Sequence, residues 1–144
     1  MTLFDRGEFG FIEQLRQMAS GAAPGLAVAI GDDCALIEVG DDRLAVSTDA
    51  MVEGRHFRRE WASAEDVGHR AAAQNLSDVN AMGGRATSLT IGLAAPADLP
   101  AGWALDFARG FADACSLVGA CVVGGDLARA DQLVVAVTVL GACT

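Results

Sequence analysis

Two runs, "TSLTIGLAA" at 87–95 and "LVVAVTVLG" at 133–141, are apolar or small at most positions instead of alternating with polar residues. A β-strand sends successive side chains to opposite faces, so strands of this kind need cover on both faces. Two long helical segments can cover only one of them. The chain is therefore expected to fold as an α+β sandwich, a mixed and largely antiparallel sheet with helices on one face. Its other face is expected to form a homodimer interface, sheet to sheet.

Periodicity supplies the elements. Phe9, Ile12, Leu15 and Met18 or Ala19 recur at helical spacing over Glu8 to Ala19, and "SGAAPG" ends the run. Short strands are predicted over Leu26 to Ile30, Ala35 to Val39 and Arg43 to Ser47, with "GDD" at 40–42 as a hairpin turn. Ser63 caps a long helix to Met82, with Asp66 three positions on and Gly83-Gly84 as its stop. Thr87 to Ala95 is a strand, Ala101 to Leu117 a helix, and Ala120 to Val123 and Leu133 to Leu140 are strands on either side of "GGDLARAD".

The length of 144 residues suits one domain, and 52% hydrophobic residues suffice for a core. No apolar run approaches the roughly 20 residues needed to span a bilayer, and the acidic start "MTLFDRGEFGFIEQL" is unlike a signal peptide. A cytoplasmic protein without a membrane partner is expected. Cys34, Cys115, Cys121 and Cys143 lack C-x-x-C spacing and read as small apolar residues. A net charge of -9 argues against nucleic acid. All 10 basic residues are arginine, which excludes a Walker A loop and a Schiff-base lysine.

Acids follow strands and small residues four times, at "IGDD" 30–33, "VSTDAMVEG" 46–54, "NLSDVNAMGG" 75–84 and "VVGGDLAR" 122–129. On the third segment, helical projection sets Asp66, His69, Arg70, Ser77 and Asn80 on one arc. Val67, Ala71, Ala72, Leu76, Val79 and Met82 occupy the other, and Asn75 and Asp78 lie within that apolar arc. A carboxylate there needs a cation, a donor network or solvent; a helix end protruding beyond the sheet would provide the last. Ser47, Thr48 and Asp49 offer hard oxygens of the kind that suit Mg²⁺, and equally serve as a turn cap. His56 can act as a base, a phosphate donor or a core residue. Gly124-Gly125-Asp126 allows a close approach to phosphate, or simply makes a turn. Asp32 and Asp33 point to opposite sides if the segment is extended. "DDCALIEVGDD" lacks the ligand spacing of an EF-hand.

Together, "GEFGFI", "IGDDCA", "STD" with "VEGRHF", "NLSDVNAMG" and "VGGD", in this order over nearly the whole chain, resemble the thiamine-monophosphate kinase family. That family belongs to the ATP-binding superfamily of aminoimidazole ribonucleotide synthetase and selenophosphate synthetase. The resemblance implies transfer of the γ-phosphoryl group of ATP to thiamine monophosphate, assisted by several Mg²⁺ ions. It implies Asp33, Ser47, Thr48, Asp49, Asp78 and Asp126 as Mg²⁺ ligands, Gly125 as a backbone contact to ATP, and His56 as a substrate contact. The nucleophile, a phosphate oxygen, is already ionised, so no general base is implied. Family members have a second, carboxy-terminal domain. Residues 1–144 are accordingly expected to be the amino-terminal ATP- and Mg²⁺-binding domain, dimeric and poorly active alone. The alternatives are another synthetase of the superfamily, or a non-catalytic metal-binding dimerisation module. The reactive Cys or selenocysteine and the Lys expected near the amino terminus of a selenophosphate synthetase are missing here.

Overall fold

The computed structural model describes residues 2, 5, 7–18, 26–28, 36–37 and 43–143 of the chain. The elements run α1 (Glu8–Met18), β1 (Leu26–Val28), β2 (Leu36–Ile37), β3 (Arg43–Val52), α2 (Ala64–Ala81), β4 (Arg85–Ala95), α3 (Ala101–Ser116), β5 (Cys121–Arg129) and β6 (Val134–Cys143). Four strands form one sheet in the order β3-β6-β4-β5, antiparallel except for the parallel β4/β5 pair. The expected α+β class, with a mixed and mostly antiparallel sheet, is what forms.

Several sequence expectations need correction. β2 pairs with β1, and β3 pairs with β6; residues 40–42, where the hairpin turn was expected, lie outside the described residues. β3 continues to Val52 instead of stopping at Ser47, so Ser-Thr-Asp lies within the strand. Gly124-Gly125-Asp126 likewise lies inside β5, where Ile91, Gly92 and Leu93 of β4 pair with Gly125, Asp126 and Leu127. Local turn propensity loses there to the ladder. A β-carbon on Gly125 would lie 2.1 Å from the Ile91 carbonyl oxygen, so this position is glycine for close strand approach. On α1, Phe11 is the buried aromatic and Phe9 is 85% exposed, so the packed stripe is Phe11 and Leu15. Met82, placed on the apolar arc by periodicity, is exposed because α2 ends at Ala81 and Gly83 turns the chain with φ +72°.

The sheet is two-sided. Val135, Val137 and Val139 of β6 are buried against α2 and α3 together with Leu89 and Leu93 of β4. The alternate residues Val134, Ala136, Thr138 and Leu140 are half-buried on the face without helices, beside the exposed Leu44 and Val46 of β3. Ser63 and Asp66 form the capping box that starts α2, as their spacing indicates. Along α3, Trp103, Phe107 and Phe111 succeed one another at intervals of four, with ring centroids 5.7 and 6.0 Å apart. Cys115 and Cys121 are buried, and burial, with the neighbouring Cys121 adding to it, pushes the Cys115 thiol up to about 12. It therefore stays a neutral, small apolar group at neutral pH. Among the described residues no helix is long and apolar enough to cross a membrane.

Where α2 and α3 cross, a β-carbon on Gly68 would lie 2.0 Å from the Phe107 carbonyl oxygen. One on Gly110 would lie 2.0 Å from that of Glu65. The two backbones are in contact, and no side chain can be inserted between them. Gly110→Ala is expected to lower unfolding free energy by at least about 2 kcal/mol in urea melts. Gly102→Ala, at a position with nothing within 4 Å, is expected to raise it by about 0.5–1 kcal/mol. Equal stability of the two variants would refute the backbone contact.

Candidate functional site

The pleat of β3 divides the Ser-Thr-Asp run. Ser47 and Asp49 pair with Val139 and Val137, the buried positions of β6, so both side chains face α2. Ser47 Oγ donates to Asp78 Oδ2 at 3.2 Å. Gln74 Nε2 donates to Asp49 Oδ2, and the Ala50 backbone N–H donates to Asp49 Oδ1 at 2.8 Å. Gln74 and Asp78 are four residues apart on α2 and so share a face. The result is a group of oxygens from Ser47, Asp49 and Asp78, with Gln74 holding one carboxylate in place. Periodicity missed Gln74, although its position one turn before Asp78 was the available signal.

The other expected ligands lie elsewhere. Thr48 occupies the opposite face, with its hydroxyl 2.8 Å from that of Thr138. Asp126 is exposed on β5, in the cross-strand row Ala50, Ala136, Gly92, Asp126, and so on the helix-free face. Three strand spacings of about 4.8 Å separate β3 from β5, or roughly 14 Å. Asp33 and Asp32 lie outside the described residues, and no group of three or more His, Cys, Asp or Glu that could hold a metal occurs among those described. Two carboxylates and a hydroxyl nevertheless fit Mg²⁺, which commonly takes one or two carboxylates and fills its octahedron with water and phosphate oxygens. Neither Arg70 nor Arg85 forms an ion pair with Asp78: Arg70 donates to the His56 carbonyl at 2.7 Å, and Arg85 lines a separate groove between the ends of α2 and α3.

His56 sits in the tight turn after β3. Its Nδ1 accepts the Val52 backbone N–H at 2.9 Å, which leaves the neutral ring's proton on Nε2 as a donor. Asn75 is 1% exposed, in the middle of the apolar arc of α2 as projected. Its Nδ2 donates to the Ala71 carbonyl at 2.9 Å, while Oδ1 has no partner among the described residues.

The arrangement is a sheet backed by two crossed helices, with carboxylates at the β3/α2 seam. The chain belongs to the family described as AIR synthase related protein, N-terminal domain, whose model matches residues 31–143. Curated relatives include the thiamine-monophosphate kinase of Mycobacterium tuberculosis, 44% identical over 97% of this chain and 42% of that protein. That of Corynebacterium glutamicum is 34% identical over 97% of this chain and 41% of its own length. The chain thus spans well under half the length of these relatives. Among solved structures, the thiamine-monophosphate kinase of Stenotrophomonas maltophilia K279a superposes with a TM-score of 0.80 at 32% identity, covering 95% of this chain and 42% of that one. AaThiL complexed with AMPPCP and TMP gives a TM-score of 0.70 at 32% identity, covering 99% and 44%.

The unpartnered Asn75 Oδ1 yields a stability test. Asn75→Leu removes a buried acceptor while keeping the side chain's branching and heavy-atom count, and is expected to raise unfolding free energy by about 1 kcal/mol in urea melts. A loss of more than about 1 kcal/mol would show that Oδ1 makes a stabilising contact.

Proposed function

We propose that the chain is the ATP- and Mg²⁺-binding part of a cytoplasmic enzyme that phosphorylates thiamine monophosphate to thiamine diphosphate at the expense of ATP. The observation that carries this reading is the oxygen group of Ser47, Asp49 and Asp78 at the β3/α2 seam, in a chain 44% identical to a thiamine-monophosphate kinase. The relative complexed with AMPPCP and TMP, an ATP analogue and thiamine monophosphate, supports both substrates.

Asp49 and Asp78 would hold Mg²⁺ with Ser47, with Asp33 in the same proposed set; Thr48 and Asp126, on the opposite face of the sheet, would hold other Mg²⁺ ions of the several the family uses. Mg²⁺, when bound, supplies the positive charge that lets two phosphates approach one another. Gln74 and the Ala50 N–H orient Asp49, and Ser47 orients Asp78. Gly125 contributes a backbone contact to ATP, and His56 Nε2–H a donor to the substrate. The acceptor oxygen is already ionised at neutral pH, so the protein's part is positioning and charge rather than proton removal.

Residues beyond this domain, as in the longer relatives, complete the active protein in this reading. A second copy covers the helix-free face, because Leu44, Val46 and the alternate residues of β6 form a contiguous apolar surface there. Asp126 lies on that same face.

Calorimetric titration with ATP is expected to show binding that requires Mg²⁺ and weakens at least about tenfold in Asp49→Asn and in Asp78→Asn, with urea melts that retain the folded baseline. Extended to the length of the relatives, the same variants are expected to lose most turnover with thiamine monophosphate. ATP binding that is equal in EDTA and unchanged in both variants would overturn the proposal. Val46→Asp is expected to shift sedimentation from dimer toward monomer; a wild-type protein that sediments as a monomer would remove the sheet-to-sheet interface.

A further inference from the structure

The two carboxylates at the β3/α2 seam are held unequally. Asp49 is half-buried on β3, and both of its oxygens accept an N–H: Oδ1 from the Ala50 backbone at 2.8 Å, and Oδ2 from Gln74 Nε2. Asp78 is exposed near the end of α2, and its Oδ2 accepts the Ser47 hydroxyl at the longer distance of 3.2 Å.

The donors on Asp49 differ in kind. Ala50 N belongs to the strand that carries the carboxylate, whereas Gln74 comes from the helix, 25 residues further along the chain. An ionised carboxylate only accepts, so the nitrogen of the Gln74 amide faces it and not the oxygen. α2 is locked to α3 by backbone contact, with Gly68 against Phe107 and Gly110 against Glu65, so a rigid element delivers this donor. Gln74 therefore ties the plane of the Asp49 carboxylate to the helical layer. An exposed carboxylate at a helix end, held through one hydroxyl, has no comparable restraint.

Mg²⁺ and Ca²⁺ make different demands on such a pair. Ca²⁺ takes roughly six to eight oxygens in flexible geometry, often both oxygens of one carboxylate, while Mg²⁺ requires a nearly ideal octahedron at shorter distances. With an N–H on each oxygen, Asp49 keeps roughly half of its acceptor capacity, and its orientation is fixed. That suits the ion with the stricter geometry and disfavours the one that gains from chelation by both oxygens. We infer that Gln74 is a positioning residue that sets metal choice at the seam: by fixing the Asp49 carboxylate it favours Mg²⁺ over Ca²⁺. This role rests on the proposed function, which supplies the metal. What Gln74 adds is a preference that the hard oxygens of Ser47, Asp49 and Asp78 do not provide by themselves, since such oxygens suit both ions.

The Kd of ATP, measured calorimetrically at saturating Mg²⁺ and separately at saturating Ca²⁺, tests this in the unaltered protein and in Gln74→Met, which keeps the length of the side chain without the donor. The unaltered protein is expected to bind ATP more tightly with Mg²⁺. Gln74→Met is expected to weaken the Mg²⁺ value by about tenfold and the Ca²⁺ value by less than about threefold. A merely structural role would weaken both alike, so equal losses overturn the assignment. An unchanged Mg²⁺ value overturns it too, as does a tighter one, which would mean that the amide competes with the metal for Oδ2. Gln74→Ala, compared in the same way, decides the matter if Gln74→Met loses the folded baseline in urea melts. Failure of the proposed function is seen separately, in the unaltered protein: ATP binding that needs no metal removes both readings, whereas Mg²⁺-dependent binding with an unmoved preference in the variants removes only the role of Gln74.

Discussion

The close approach of α2 and α3, with Gly68 against the Phe107 backbone and Gly110 against the Glu65 backbone, governs the helical layer. With the α2 and α3 backbones in contact at their crossing, the two helices behave as one slab, flanked by Glu65 and Arg109 at 3.4 Å. The slab lies on Val135, Val137 and Val139, the central strand's buried positions. That seating brings Gln74 and Asp78 over Ser47 and Asp49 on the edge strand β3. A side chain at the crossing would lift α2 and pull those groups apart, although it touches none of them. The site's geometry is therefore a packing result before it is an electrostatic one.

Charge along α2 is sorted by turn. Its middle carries Arg70 against the β3/α2 turn, and its last turns carry Gln74 and Asp78 against the strand. In the proposed function, a chain of net charge -9 meets phosphate through cations that its carboxylates recruit.

Much of the fold could be read in advance because it follows from local rules. The Ser63 to Asp66 capping box, the stop at Gly83 and the long helices depend on residues close together in sequence. So did the need for a sheet with two apolar faces. Errors arose where distant partners decide. Gly124-Gly125-Asp126 looks like a turn until β4 is laid beside it, and Phe9 and Phe11 cannot be ranked until α3 is present.

The sequence by itself determined the α+β class, the acidic segments and the family, since periodicity, glycine placement and motif order are properties of the chain. Only the tertiary structure decided which acids meet. Pleat parity separates Thr48 from its neighbours Ser47 and Asp49, and strand order sends Asp126 to the far edge, while the helix crossing delivers Gln74 and Asp78 to β3. Register and crossing are set by the packing of residues far apart in the chain, and no local pattern encodes them.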